Sequence, residues 1–249
     1  MSARISVASI LLTAAITASA GDQSAADYQR SVSQWRAGRE AQLKADNGWL
    51  TVVALDWLKE GENRVGSNPA FEVPLPKSAP GRVGTIIVKA GKAHFRPAPG
   101  VPVLFNGKPA IETDLKSDAD PKYDVLDIGR VRFFIIKRED KLGVRVKDND
   151  SAARREFTGM RWYPIDPSWR VQATYTPWDK PHPVTFDTAV GLKEQDESPG
   201  YVTFMRNGKE YRLEPVVDEG QLWFVMRDQT SGKTTYGASR FLYADLPKG

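Results

Sequence analysis

Gln221–Leu246, QLWFVMRDQTSGKTTYGASRFLYADL, is the stretch whose reading decides the fold class. An apolar run, Leu222 to Met226, enters a polar turn around Ser231-Gly232, and Phe241, Leu242 and Tyr243 leave it. Two short runs rich in aromatic and branched residues, joined through a Gly-containing turn, read as a β-hairpin. Arg227, Asp228, Ser231, Lys233, Tyr236 and Arg240 crowd that turn with more hydrogen-bonding capacity than a hairpin needs. The cluster reads either as a site or as a polar network that pins the hairpin.

The same β texture extends upstream. Asn207-Gly208 separates Tyr201–Phe204 from Tyr211–Leu213, a strong two-residue hairpin signal. Val184, Phe186 and Val190 alternate through a Pro-punctuated extended stretch, and Trp169 to Tyr175 reads as a strand bracketed by Pro164, Pro167 and Pro177. From Gly48 to Val146, apolar runs recur every ~8–12 residues with Gly, Pro and Asn between them, the spacing of an antiparallel sandwich. Only residues 21–47 read as a long helix. Asp22 or Ser24 can cap it, and Tyr28, Val32, Trp35 and Leu43 give an apolar stripe suited to lying on a sheet.

Residues 1–20 stand outside this pattern. Arg4 precedes an apolar h-region, Ile5 to Ile16, and Ala18-Ser19-Ala20 is a small-x-small cleavage signal. This predicts a signal peptide, a mature chain starting at Gly21, and a periplasmic or extracellular location. No run approaches the ~20 apolar residues of a spanning helix, so no stable membrane insertion is expected. With no Cys the exported fold relies on its core rather than on disulfides. A net charge of +4, spread along the chain, gives no reason to expect a nucleic-acid partner.

Residues 48–145 resemble the forkhead-associated sandwich, on Val65-Gly66, Phe105-Asn106-Gly107 and Asp127-Ile128-Gly129 before an apolar strand. The phosphothreonine-reading residues of that fold do not match. Ser67 stands where the family has Arg, and Ser78-Ala79-Pro80-Gly81 replaces its Ser-x-x-His element. Without that Arg a phosphate loses its bidentate partner. The blocks GWLTVVALDWLKEGENRVGS, RWYPIDPSWRV, GYVTFMRNGKEYRL and FVMRDQTSGKTTYGASRFL resemble a family of exported bacterial proteins known only as domain of unknown function 1684. That resemblance implies relatives without naming a reaction. It also implies a further C-terminal Asp-Phe-Asn and Pro-rich segment beyond Gly249.

Candidate chemistry follows from residue type. Arg227, Arg240 and Lys233, with Ser231, suit a carboxylate or phosphate. Trp162, Tyr163 and Trp169 suit stacking on a sugar or other flat ligand, although aromatics in a β-sandwich are core by default. Asp228, Tyr236 and Asp166 are the candidate acid/base groups, and paired carboxylates at 166 and 228 would suit glycoside hydrolysis. Gly232-Lys233-Thr234 lacks the earlier Gly of a phosphate loop, because position 227 is Arg. Gly237-Ala238-Ser239-Arg240-Phe241 lacks the second Gly of a nucleophile elbow. His94 reads as structural, and His182, in a stiff loop between Pro181 and Pro183, could serve as a ligand or base but need not. Two distant His and no Cys make zinc improbable. Asp114, Asp118, Asp120 and Asp124 lack the Gly and closing Glu of a calcium loop.

The sequence therefore predicts a mainly β protein. A helix over 21–47 precedes an antiparallel sandwich over 48–150, and a second antiparallel β unit follows over 151–249, the boundary lying near 148–160. The expected function is an exported, non-catalytic module binding a small anionic or aromatic ligand in a groove between the β units, with no metal or cofactor. A hydrolase using Asp228, Tyr236 or Asp166 and a structural envelope protein are the alternatives.

Overall fold

The computed structural model describes residues 24–187 and 193–247. The export signal over 1–20, the start at Gly21, Asp22 as a cap, and Val190 lie outside the described residues. The chain is mainly β, with one long N-terminal helix and several antiparallel sheets, as its periodicity predicts. The described residues divide into two compact units, 30–163 and 164–247 together with 24–29.

Helix α1 spans Ala25–Lys44. Ser24 caps it: its hydroxyl accepts the Asp27 N–H at 3.2 Å and donates to the Asp27 carboxylate at 2.7 Å. Asn47 turns the chain away with a positive φ of 57°. At Gly48 any Cβ would meet the Gln42 carbonyl at 2.6 Å, so the exit needs glycine. The helix has no buried residue. It is fixed chiefly by the irregular segment near Trp162, where Trp35 meets the indole edge-on at 5.6 Å and Arg36 lies over it at 5.1 Å. Glu40 accepts from Trp162 Nε1 at 2.7 Å and from the Met160 N–H at 2.9 Å. The apolar stripe is too sparse to bury a face, so specific polar and ring contacts dock the helix.

The first unit holds β1 (Val52–Trp57), β2 (Gly61–Gly66), β3 (Val73–Pro74), β4 (Gly84–Lys89), β5 (Lys92–Pro97), β6 (Leu104–Phe105), β7 (Lys108–Pro109), β8 (Thr113–Leu115), β9 (Leu126–Ile128), β10 (Val131–Arg138) and β11 (Lys141–Asp148). Their order is β1-β11-β10-β9-β6-β7 in one sheet and β3-β2-β4-β5-β8 in the other. Only the short β2–β3 contact is parallel. Alternation decides the faces. Val131, Phe133 and Ile135 of β10, with Val144 and Val146 of β11, join Val65, Ile86 and Phe95 in one core. Phe95 and Phe133 meet edge-to-face at 6.1 Å. The alternate residues Arg132, Phe134 and Arg138 fall on the other face of the same strand, with Arg145 and Lys147 in register beside them on β11. Asn106 and Gly107 make the tight β6–β7 turn with φ of 48° and 80°.

After the short helix α2 (Ala152–Arg155), the second unit contains β12 (Thr174–Asp187), β13 (Lys193–Arg206), β14 (Lys209–Leu213), β15 (Val216–Asp218), β16 (Gln221–Met226) and β17 (Arg240–Asp245). They form two three-stranded sheets, β12-β13-β14 and β15-β16-β17. Residues 170–173, expected within a strand, precede β12 as irregular chain. Pro167 starts a 3-10 turn, Pro167–Trp169, and the strand begins only at Thr174. β12 nevertheless carries Pro177, Pro181 and Pro183. It tolerates them as an edge strand with a register break between Pro177 and His182.

Candidate functional site

An open concavity of the second unit lies beside the β13–β14 turn and has a volume of about 710 Å³. Arg206, Asn207 and Glu210 line it from that hairpin, and Ser168, Arg170 and Gln172 from the segment before β12. Asn207 and Gly208 close the turn with φ of 51° and 74°, the left-handed pair that lets β13 reverse directly into β14.

Asp166 stands just before the lining segment that starts at Ser168. Its carboxylate caps the Pro167–Trp169 turn by accepting the Ser168 N–H at 2.9 Å, and Pro167 at the first turn position pre-sets the backbone. Those contacts hold its pKa below the usual carboxylate range: the Ser168 N–H acts first, then the Ser168 side chain, with Arg206 adding a little. The turn presents Trp169, which is 67% exposed. The Arg206 guanidinium lies 3.8 Å from the indole centroid and donates to the Ser168 carbonyl. A cation held flat on an exposed indole, with Asn207 and Gln172 nearby, can accept an anion edge-on and a ring face-on. Met205, Val171 and Tyr211 leave further apolar surface exposed around the same hairpin.

The residues singled out in sequence fall in three places. Trp162 belongs to the first unit, where Trp35, Arg36 and Glu40 engage its ring and Nε1. Asp166 caps the Pro167–Trp169 turn and does not itself line the depression. Arg227, Asp228, Ser231, Lys233, Tyr236 and Arg240 share the loop 227–239 and its edges, between β16 and β17. There the Asp228 carboxylate accepts from Arg240 at 2.7 Å, from the Thr230 N–H at 2.8 Å and from the Thr230 hydroxyl at 2.5 Å. These donors, the Thr230 hydroxyl first and then Arg240, bring its pKa from the ordinary 3.8 down to about 2. The Ser231 hydroxyl accepts the Asp228 N–H at 3.2 Å, and the Thr230 carbonyl gathers the N–H groups of Lys233, Thr234 and Thr235. The loop is thus internally hydrogen-bonded. Tyr236 is exposed and packs obliquely on Phe241 at 6.3 Å.

Sequence reasoning singled out Trp169 and His182 but missed their partners, Arg206 over Trp169 and the Arg212–Glu214 group beside His182. Arg212 lies 3.8 Å over Tyr201 and 4.8 Å over Trp178, and Glu214 joins Arg212 at 2.6 Å to His182 Nε2 at 3.1 Å. The usable signal is the pairing of alternate residues across Asn207-Gly208, since a two-residue turn at that point fixes which β13 and β14 side chains stand together. Among the described residues no group of three or more His, Cys, Asp or Glu side chains is placed to hold a metal. The acidic run disperses: Asp114 binds His94 at 2.7 Å, Asp118 binds Arg138 at 3.0 Å, and Asp124 accepts the Lys116 N–H at 2.8 Å.

The fold and this depression define a mainly β protein with a cation-and-indole surface in its C-terminal unit. Residues 155–249, which contain all of that surface, match the family model described as Protein of unknown function (DUF1684). No curated protein matches the chain. Among solved structures, the chain is similar to an uncharacterized protein from Haloarcula marismortui, determined by solution NMR. The two are 25% identical over 39% of this chain and 55% of that one, with a TM-score of 0.32. This chain therefore spans about half the length of that protein.

Proposed function

We propose that the protein is an exported, non-catalytic binding module whose C-terminal unit takes a small anionic or aromatic ligand beside Arg206 and Trp169. The observation that carries this reading is the Arg206 guanidinium laid on an exposed indole at the wall of a cavity of about 710 Å³. That volume falls in the range of small-molecule sites, ~300–1,000 Å³. The export part rests on the Arg4, apolar and Ala18-Ser19-Ala20 pattern of the N-terminus.

The acid/base candidates favour binding over hydrolysis. General acid–base groups work best with pKa values near the operating pH. Asp228 and Asp166 are both pushed downward and stay ionised, and they are held by different elements, a hairpin loop and a 3-10 turn.

The test is a thermal-shift screen of the full chain against benzoate, phenyl phosphate, inorganic phosphate and neutral sugars, beside Arg206→Ala. A ligand at 100 times its Kd adds about 2.7 kcal/mol of stability. The reading predicts stabilisation by an anionic or aromatic compound that Arg206→Ala reduces and Arg240→Ala retains. Loss with Arg240→Ala and not with Arg206→Ala would move the site to the closing hairpin.

A further inference from the structure

The outward face of the β1-β11-β10-β9 part of the first unit gathers four cations. In register across β10 and β11, Arg132 stands beside Lys147 and Phe134 beside Arg145, with Arg138 two residues beyond Ile136. Two of these cations are neutralised. Arg132 makes a bidentate pair with Asp127 at 2.6 and 2.9 Å, and Arg138 binds Asp118 at 3.0 Å. Lys147 has one partner, the Asn47 carbonyl at 2.6 Å, and its ammonium lies 5.6 Å over the Phe134 ring.

Arg145 is different. Its guanidinium lies 5.3 Å over the Trp49 ring, and no described residue accepts a hydrogen bond or forms an ion pair with it. Burial lowers its pKa first and Arg138 lowers it further, against a smaller pull upward from Asp118 and Tyr123. Lys147 is lowered by burial, then by Arg145 and Arg132. A partly buried cation is ordinarily paired, because its desolvation is otherwise uncompensated. Here five N–H donors stand beside a neighbouring ammonium, and no described residue receives them. Around them stand the exposed Trp49 and Tyr123, the latter tilted against Phe134 at 5.1 Å.

We propose that Arg145 and Lys147 form a second ligand site, on the sandwich, for a compact oxyanion carried on a flat ring. Arg145 supplies the bidentate fork and Lys147 the second charge, while Trp49 and Tyr123 supply the ring contacts. The site lies wholly within residues 30–163 and shares no residue with the Arg206 depression.

The experiment is a calorimetric titration of the full chain with phenyl phosphate, inorganic phosphate and benzoate at fixed ionic strength, repeated with Arg145→Met, Lys147→Met and Arg206→Ala. Phenyl phosphate should bind tighter than inorganic phosphate. Arg145→Met should weaken this site at least about tenfold, the loss expected for a charge-assisted fork, whereas Arg206→Ala leaves it intact. Melting without ligand separates a ligand site from a structural one. Removing an unpaired cation from like-charged neighbours should leave the melting temperature unchanged or raised in Arg145→Met. A lowered melting temperature in that variant, unchanged phenyl phosphate affinity, or an equal response to chloride would each overturn the proposal.

Discussion

The two units spend their apolar residues in opposite ways. In the sandwich, Val65, Phe95, Phe133 and Val144 are fully buried, and the two sheets close over a single core. In the C-terminal unit, the buried apolar residues among those described are Val216, Leu222 and Phe224, while Trp169, Met205, Tyr236, Phe241, Leu242 and Tyr243 stay exposed. Its aromatics instead pack against one another and against cations near the surface. Trp223 meets Phe186 edge-on at 5.4 Å and stacks on Tyr243 at 6.0 Å, and Arg212 covers Tyr201. A closed core makes a scaffold. Rings and guanidinium groups left at a surface are what ligand recognition needs, so the loosely filled unit is where binding is expected first.

The sharpest break of this contrast is a truncation in each unit. Phe133→Ala should cost about 3–5 kcal/mol, as expected for a large residue removed from a packed interior. Trp223→Ala, in a partly exposed cluster, should cost about 2 kcal/mol. Chemical denaturation measures both. Equal costs would mean that the second unit carries a core as demanding as the first.

A smaller effect of opposite sign sits inside the sandwich. Asp56 lies in register with buried Val144, and its Oδ2 is buried without a hydrogen-bond partner. Burial raises its pKa. A carboxylate with a raised folded pKa weakens the fold as pH rises through that value, so Asp56→Asn should stabilise the protein at pH 7 by about 1 kcal/mol. The measurement is the melting temperature at pH 4 and pH 7, and the gain should shrink at pH 4.

The smallest expected effects are pH-dependent. His94 sits between Asp114 at 2.7 Å and Glu112 at 3.2 Å. The Asp114 hydrogen bond leads, burial opposes and Glu112 assists, so its pKa lies above the ordinary 6.5. The stability it adds is fully present below 6.5 and is lost as pH rises through the folded value. Screening at this partly exposed pair limits it to under about 1 kcal/mol. His94→Gln should flatten that slope in a pH series of melting curves. Asp228 runs the other way. Its folded pKa of about 2 means that the loop 227–239 keeps this contact above 3.8 and loses it as pH falls toward 2. Amide exchange in that loop should rise over that interval in the wild type and not in Asp228→Asn.

The architecture was largely legible because it rests on period-2 alternation and Asn-Gly turns, which survive in one-dimensional sequence. The strand Val131–Arg138 could be read from its apolar run after Gly129, and Asn106-Gly107 and Asn207-Gly208 both turn where expected. The start of β12 was not legible, since three prolines fit an edge strand as well as a loop, and only the pairing with β13 decides. The loop Arg, Asp and Lys residues were conspicuous by proximity in sequence. Arg206 and Trp169 lie far apart in the chain and meet only through the fold, as do Arg145 and Trp49. Nothing local distinguishes a guanidinium on a ring from one in solvent.

The most direct test of a ligand site at Arg206 and Trp169 is an amide-resolved NMR titration of the full chain with phenylacetate. The account predicts concentration-dependent shifts in residues 166–174 and 203–210, around Arg206 and Trp169, that titrate separately from any around Trp49, Tyr123, Arg145 and Lys147. Shifts confined to residues 227–240, or none at millimolar ligand, would contradict it.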